Sequence, residues 1–105
     1  MILLEFSMTP LNQGESVSKY VARSLEIVAA SGLDYRLHAM GTIIEGEMEQ
    51  VLHVLTQCYE AMAEDCHRIS CSAKFDYREG HSGRLAAKVA SVQDKTEATL
   101  KTSER

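Results

Sequence analysis

Aromatic residues, proline and clustered positive charge are all scarce in this 105-residue sequence. There is no Trp, only two Phe and a single Pro, so the hydrophobic core must be built mainly from aliphatic side chains. The formal net charge is −4, and Lys and Arg form no run. Nucleic acid is therefore not an expected partner, because phosphate neutralisation needs clustered cationic side chains.

Long apolar segments are missing as well. No segment reaches the roughly 18 apolar residues of a membrane helix, and the N-terminal segment lacks the basic start of a signal peptide. The three cysteines are an odd number, which leaves no closed disulfide framework and fits a reducing compartment. These features predict a cytoplasmic protein without a membrane partner.

Motifs for catalysis and metal binding are also missing. The sequence has no Gly-x-Ser-x-Gly motif and no phosphate-binding loop. Several potential metal ligands lie near one another in sequence, namely His53, Cys58, Cys66, His67 and Cys71. They include no Cys-x-x-Cys pair, and their spacing does not match a zinc site. We therefore expect no enzyme activity, no cofactor and no metal.

Hydrophobic periodicity predicts a strand and then a helix in the first third of the chain. The strand covers residues 1–8 and places on one face Ile2, Leu4, Phe6 and Met8. Pro10 ends it, and Ser16 is the predicted N-cap of a helix that stops at Gly32. The apolar stripe of this helix is Val17, Val21, Leu25 and Val28, flanked by Tyr20 and Ile27.

A hairpin is predicted next, with strands over residues 35–40 and 42–45. Gly41 is the expected turning point, because glycine reaches a positive φ without steric cost. The β-branched residues that follow it favour an extended chain. Glu45 is a carboxylate in an otherwise apolar strand, so it is a candidate functional residue.

A second helix, a last strand and a third helix complete the predicted elements. The second helix runs from about residue 46 to 65, with an apolar stripe of Met48, Leu52, Leu55, Tyr59 and Met62, supported by Val51 and Cys58. Strict alternation over residues 68–78 predicts a strand whose core face is Ile69, Cys71, Ala73, Phe75 and Tyr77. A short helix begins at about residue 84, and residues 93–105 form a polar, frayed tail.

This order of elements predicts an α+β domain over residues 1–92 with the ferredoxin-like βαββαβ arrangement. Its four-stranded antiparallel sheet carries two helices on one face, plus the short C-terminal helix. The opposite face is then bare, and a second copy of the chain is the expected cover.

The sequence resembles the small thiamine-binding proteins of ferredoxin-like fold over nearly the whole domain. The residues that carry the resemblance are Thr9-Pro10-Leu11, Tyr20-Val21, the segment from Met40 through Gly41-Thr42-Ile43-Ile44-Glu45 to Gly46, and Arg68, Lys74, Asp76 and Arg78. The resemblance implies a homotetramer, built as a dimer of dimers, that binds thiamine or its hydroxymethyl-pyrimidine part without catalysis. Tyr59 stands where some members have His, so no role is carried over for that His.

An aminopyrimidine needs a hydrogen-bond acceptor for its amine and a donor for a ring nitrogen, which hydroxyl and carboxyl side chains supply. The candidate ligand-binding residues, with Glu45 and Thr42 foremost, are Glu45, Thr42, Ser7, Asn12, His38 and Tyr20. Alternation along the strand places Thr42 and Glu45 on opposite faces, so a shared site would require a twist or bulge.

Each candidate also has a purely structural interpretation. Glu45 could be a solvated strand-end carboxylate or pair with Lys74 or Arg78. Thr42 suits any strand, Asn12 suits a turn and Tyr20 suits the core. His38 could be solvated or lie at a subunit interface. An alternative function is therefore a self-assembling interaction or regulatory domain with no small-molecule ligand.

Overall fold

The computed structural model describes residues 1–14 and 17–102, so the predicted N-cap Ser16 lies outside the described residues. The elements in chain order are β1 (Ile2–Pro10), α1 (Ser18–Ala30), β2 (Asp34–His38), β3 (Gly41–Gly46), α2 (Met48–Ala63), β4 (Ile69–Tyr77) and α3 (Arg84–Asp94). The strands form one antiparallel sheet in the order β2-β3-β1-β4. The predicted α+β, ferredoxin-like fold is confirmed.

None of the helices among the described residues is both long enough and apolar enough to cross a membrane.

The hydrophobic core lies between α1, α2 and one face of the sheet. Its β1 side chains are the four that alternation predicts, and each is at most 7% exposed: Ile2, Leu4, Phe6 and Met8. Ile44 on β3 pairs with Leu4 and is fully buried beside it. The central strands therefore carry the core, because both of their neighbours in the sheet protect them.

The predicted apolar stripe of α2 is confirmed at Met62 and at the supporting Val51 and Cys58, but it omitted Val54 and included three residues that are exposed. The side chains that face the core are Val51, Val54, Cys58 and Met62, whereas Met48, Leu52 and Tyr59 are 45%, 41% and 53% exposed. Apolar residues cover more of the α2 circumference than the sheet can bury. On a helical wheel the exposed three lie on the flank away from α1, toward the edge strand β4.

The predicted stripe of α1 needs a similar correction. Its buried residues are Tyr20, Ser24 and Val28, while Val21 and Leu25 are only half-buried. Arg23 fixes this orientation: its guanidinium donates to both Asp65 carboxylate oxygens at 2.9 and 3.1 Å and to the carbonyl of Ala61 at 3.0 Å. The helix is thus tied to the end of α2, with Tyr20 turned into the core.

The hairpin turn is one step earlier than predicted. Ala39 and Met40 form the turn, and Gly41 is the first residue of β3 rather than the turning point. Glycine is nevertheless required there, because a Cβ at Gly41 would lie 2.8 Å from the backbone oxygen of Phe6. The requirement comes from contact with the neighbouring strand and not from the turn itself.

The β4 face predicted to be core is largely uncovered in the single chain. Phe75 pairs with Leu4 and Tyr77 with Ile2, so alternation places them correctly on the helix side of the sheet. They are nevertheless 41% and 65% exposed. The reason is position, since β4 is an edge strand and α2 does not extend over it.

The opposite face of the sheet is not wholly bare, contrary to expectation, because α3 packs against one end of it. The backbone N–H of Arg84 donates to Glu45 Oε2 at 2.9 Å. Asp76 pairs with the Arg84 guanidinium at 2.9 Å and with Lys88 at 2.7 Å, and Leu85 is buried. Only the half of this face nearer the β2–β3 turn remains uncovered, and its strand residues there include Glu5, Ser7, Ser72 and Lys74.

Candidate functional site

A cleft of about 300 Å³ opens between the first half of α1 and the turn end of the sheet. Phe6, Met8 and Thr42 line it from the two central strands, and Val21 and Leu25 line it from α1. It exists because α1 turns Tyr20 inward and leaves this pair of aliphatic side chains on the flank. Its volume is at the lower end of the range that small-molecule sites occupy.

Thr42 is the most buried polar side chain of the cleft, at 4% exposure. Its hydroxyl makes no hydrogen bond to any residue within 1–14 and 17–102. The Thr42 hydroxyl is not one of the fully buried polar atoms that lack a partner, so its oxygen keeps access to the cleft and can bond water or a ligand there. Thr42 therefore supplies both a donor and an acceptor to whatever enters.

His38 contributes to the lining of the cleft, while its ring lies beside Glu5 on the opposite face of the sheet from Thr42. Its Nδ1 accepts a hydrogen bond from the Met40 backbone N–H at 3.2 Å, and its Nε2 is 3.3 Å from Glu5 Oε2. A neutral imidazole in this setting carries its proton on Nε2, because Nδ1 already acts as an acceptor. Nε2 is buried and makes no hydrogen bond among the described residues, so its 3.3 Å approach to Glu5 is a proximity and not a bond.

The six predicted ligand-binding residues do not all come together. Thr42, Ser7 and His38 are among the residues that line the cleft, but the strand register directs the Ser7 and His38 side chains to the opposite face of the sheet from Thr42. Tyr20 is in the core, where its hydroxyl donates to Gln13 Oε1 at 3.2 Å. Asn12 is exposed in the β1–α1 loop with a φ of 67°.

Glu45 lies on the other face of the sheet from Thr42, as alternation predicts, so the two do not share a site in one chain. Its carboxylate is 5% exposed and accepts the Arg84 N–H at the start of α3, where the helix dipole favours negative charge. Neither Lys74 nor Arg78 pairs with it within the described part of the chain, whereas a pair across a subunit boundary stays a prediction. Any ligand role for Glu45 would require α3 to move.

The cleft also contains residues that the sequence did not identify as site residues. Val21, Leu25, Leu37 and Met40 line it, and the first two were assigned to the core. The sequence did indicate a second apolar surface on α1, because its apolar residues cover more of the helix circumference than one packed face requires. That excess shows that a second apolar surface exists but not what it contacts.

No group of three His, Cys, Asp or Glu side chains within residues 1–14 and 17–102 is placed to hold a metal ion.

The attachment of α3 to the sheet should depend on pH. Hydrogen bonds from Lys88 and then Arg84 lower the pKa of Asp76 to about 2. A carboxylate with a lowered pKa stabilises the fold above its unfolded value of about 3.9, and that contribution is lost as pH falls through 2. We expect the α3 amides to lose protection from hydrogen exchange between pH 4 and pH 2, after correction for intrinsic rates.

Asp76→Asn should weaken that protection at pH 6 and remove its pH dependence. Asp94→Asn, on the exposed end of α3, is the matched control and should leave both unchanged. The Leu4 amide reports on the core and must stay protected over the same range. Equal α3 protection at pH 4 and pH 2 would contradict the prediction.

Comparison with known sequences finds a matching family and several similar proteins. The sequence model of a family described as "Thiamine-binding protein" matches residues 4–93. A UPF0045 protein of Mycobacterium bovis is 38% identical over 93 residues, which cover 88% of this chain and 91% of that protein. A UPF0045 protein of Bacillus subtilis is 32% identical over 98 residues, covering 88% and 94%.

Solved structures show the same architecture. A hypothetical protein of Methanocaldococcus jannaschii has a TM-score of 0.81 at 30% identity, covering 87% of this chain and 94% of that one. A candidate thiamine biosynthesis/salvage protein of Thermotoga maritima has a TM-score of 0.77, covering 88% and 98%. At 17% identity, this second similarity concerns the fold alone.

Proposed function

Since the chain belongs to the thiamine-binding protein family, we propose that its cleft binds thiamine, or the hydroxymethyl-pyrimidine part of thiamine, without catalysis. The observation that carries the proposal is Thr42, a residue 4% exposed that lines the cleft and whose hydroxyl has no hydrogen-bond partner among the described residues. A flat aminopyrimidine fits between the sheet side chains Phe6 and Met8 and the α1 side chains Val21 and Leu25. Its amine and ring nitrogens are complementary to a hydroxyl that both accepts and donates.

The absence of chemistry is part of the same proposal. Burial raises the pKa of the Cys58, Cys66 and Cys71 thiols, so at neutral pH they are thiols rather than nucleophilic thiolates. None of the three cysteines lines the cleft. A protein that only binds its ligand needs no reactive thiolate, so the state of these cysteines is consistent with binding without catalysis.

Calorimetry with thiamine and with hydroxymethyl-pyrimidine tests the proposal. Thr42→Val keeps the shape and removes the hydroxyl, so we expect both ligands to bind about tenfold more weakly, the usual effect of leaving a ligand polar group unpaired. Thr42→Ser retains the hydroxyl and should restore most of the affinity. Thr56→Val, on the exposed face of α2, is the matched control.

No heat at millimolar ligand, with the fold confirmed by circular dichroism, would contradict the proposal. Binding that is unchanged in Thr42→Val would place the ligand elsewhere, and Glu45 beneath α3 would become the alternative.

We also propose that the chain assembles as a homotetramer, a dimer of dimers. Support comes from one side of the molecule, here named the α2–β4 apolar surface, which consists of Met48, Leu52, Tyr59, Phe75 and Tyr77. The adjoining edge strand β4 is nine residues long and contains no proline, so nothing in it blocks pairing with another strand. A second copy would cover the apolar side chains and satisfy the open edge together.

The same surface favours a second candidate function, a self-assembling interaction domain without a small-molecule ligand. The two candidates differ in one observable. Only the first predicts heat with thiamine that depends on Thr42.

A further inference from the structure

The cleft continues along the outer side of α1 into a wider groove of about 490 Å³. The two share the side chains of Val21, Leu25 and Leu37, so nothing but these side chains separates them. We name this second space the outer groove. It is mainly aliphatic, with Ala22 and Ala29 on its α1 wall.

Charge distinguishes the two spaces. None of the described residues that line the cleft is Asp, Glu, Lys or Arg. The outer groove has one charged side chain, Glu26 on α1. An elongated ligand lying across both would therefore meet a neutral polar site at one end and a carboxylate at the other.

The carboxylate of Glu26 is not neutralised within the described residues. It is in no hydrogen bond or ion pair there, although two cations lie on the same helix. Arg23 is bound to Asp65, and the Lys19 ammonium lies 4.9 Å from the centre of the Tyr20 ring. Glu26 is thus free to act as the counter-ion of a bound cation.

We propose that the outer groove is the second compartment of the ligand site, in which Glu26 faces the positively charged ring of the ligand. The inference rests on the proposed function, in which the neutral aminopyrimidine occupies the cleft. Thiamine has both parts, an aminopyrimidine joined to a cationic thiazolium, whereas hydroxymethyl-pyrimidine has only the first. Glu26 is then the residue that makes the site prefer thiamine over its pyrimidine part.

The expected effect is modest, because Glu26 is exposed and its field is weakened by water and salt. Removing the charge in Glu26→Gln should weaken thiamine binding about threefold, and reversing it in Glu26→Lys about tenfold. Affinity for hydroxymethyl-pyrimidine should stay within about twofold in both variants, since that ligand carries no cation.

Calorimetry with both ligands at low and high salt tests the inference. The wild-type preference for thiamine should shrink as salt rises and should be insensitive to salt in Glu26→Gln. Glu60→Gln, an exposed carboxylate on α2 outside both spaces, is the matched control and should change neither affinity.

The two levels of the proposal fail differently. If both ligands bind the wild type but Glu26→Lys weakens both equally or neither, the counter-ion role is wrong and the cleft proposal stands. If neither ligand binds the wild type, the proposed function fails and the role of Glu26 fails with it.

Discussion

Replacing Gly41 by valine should lower the free energy of unfolding by about 3 kcal/mol, the upper end of the cost of overpacking a folded interior. The Cβ alone would lie 2.8 Å from the Phe6 backbone oxygen and 3.4 Å from its carbonyl carbon. Backbone atoms of a central strand cannot rotate away as a side chain can. The register of β1 and β3, which pairs Phe6 with Thr42, must therefore shift or open.

Gly46→Ala is the matched control at the other end of β3. Its Cβ would approach Leu33 Cδ2 and Gln50 Oε1 at 3.1 Å, so these side-chain atoms need to shift by only a few tenths of an ångström, although Gln50 Oε1 also accepts the Glu47 N–H at 2.9 Å. We expect this variant to lose less than about 1 kcal/mol. Urea unfolding measures both, and equal losses in the two variants would show that the close approach to Phe6 is unimportant.

The pairing of β1 and β3 could be predicted from the sequence. Apolar residues alternate strictly in β1, and Ile44 is buried between neighbouring strands, so few other arrangements of these strands are possible. Each of these strands has neighbours on both sides, so a side chain on the helix face is buried in every plausible arrangement. The same alternation in β4 gave the correct face for Phe75 but the wrong burial. Alternation in the sequence predicts which face of the sheet a side chain lies on. Whether the side chain is buried also depends on whether a helix or another strand covers that position.

The candidate site could be predicted only in part for a related reason. The register of the strands follows from the pattern, so the place of Thr42 on the helix face and of Ser7 and His38 on the opposite face was within reach. The wall formed by Val21 and Leu25 depends on how α1 is rotated, and the Arg23–Asp65 pair between distant segments fixes that rotation. No local pattern encodes a contact over 42 residues.

Glu45 illustrates the limit most clearly. Its place on the strand was predicted, but its partner is a backbone N–H 39 residues later. A carboxylate that caps a helix start is indistinguishable in sequence from one that binds a cation or a ligand amine. The structure separates these readings by placing Arg84 within 2.9 Å.

The double variant Leu52→Glu/Phe75→Glu should convert the proposed assembly to monomers. Both side chains belong to the α2–β4 apolar surface and are 41% exposed in the single chain, so circular dichroism must first confirm that the variant is folded. In an assembly they would be buried, and burying carboxylates without partners is strongly unfavourable. We expect the dissociation constant to rise at least about a hundredfold, as two such penalties imply.

Light scattering at micromolar concentration measures the mass. The wild type should give a dimer or tetramer, and the matched control Ala86→Glu/Val92→Glu, which adds the same charge on α3, should give the same mass as the wild type. A monomeric wild type, or a double variant that stays assembled, would contradict the proposed interface.

Thiamine titration of the monomeric variant then connects assembly to binding. The cleft is built from β1, β3 and α1, and the α2–β4 apolar surface lies at the other edge of the sheet. If one chain supplies the whole site, affinity should stay within about threefold of wild type, because no cleft residue has changed. A larger loss would mean that the partner subunit contributes to the site, and the assembly would then be part of the binding function.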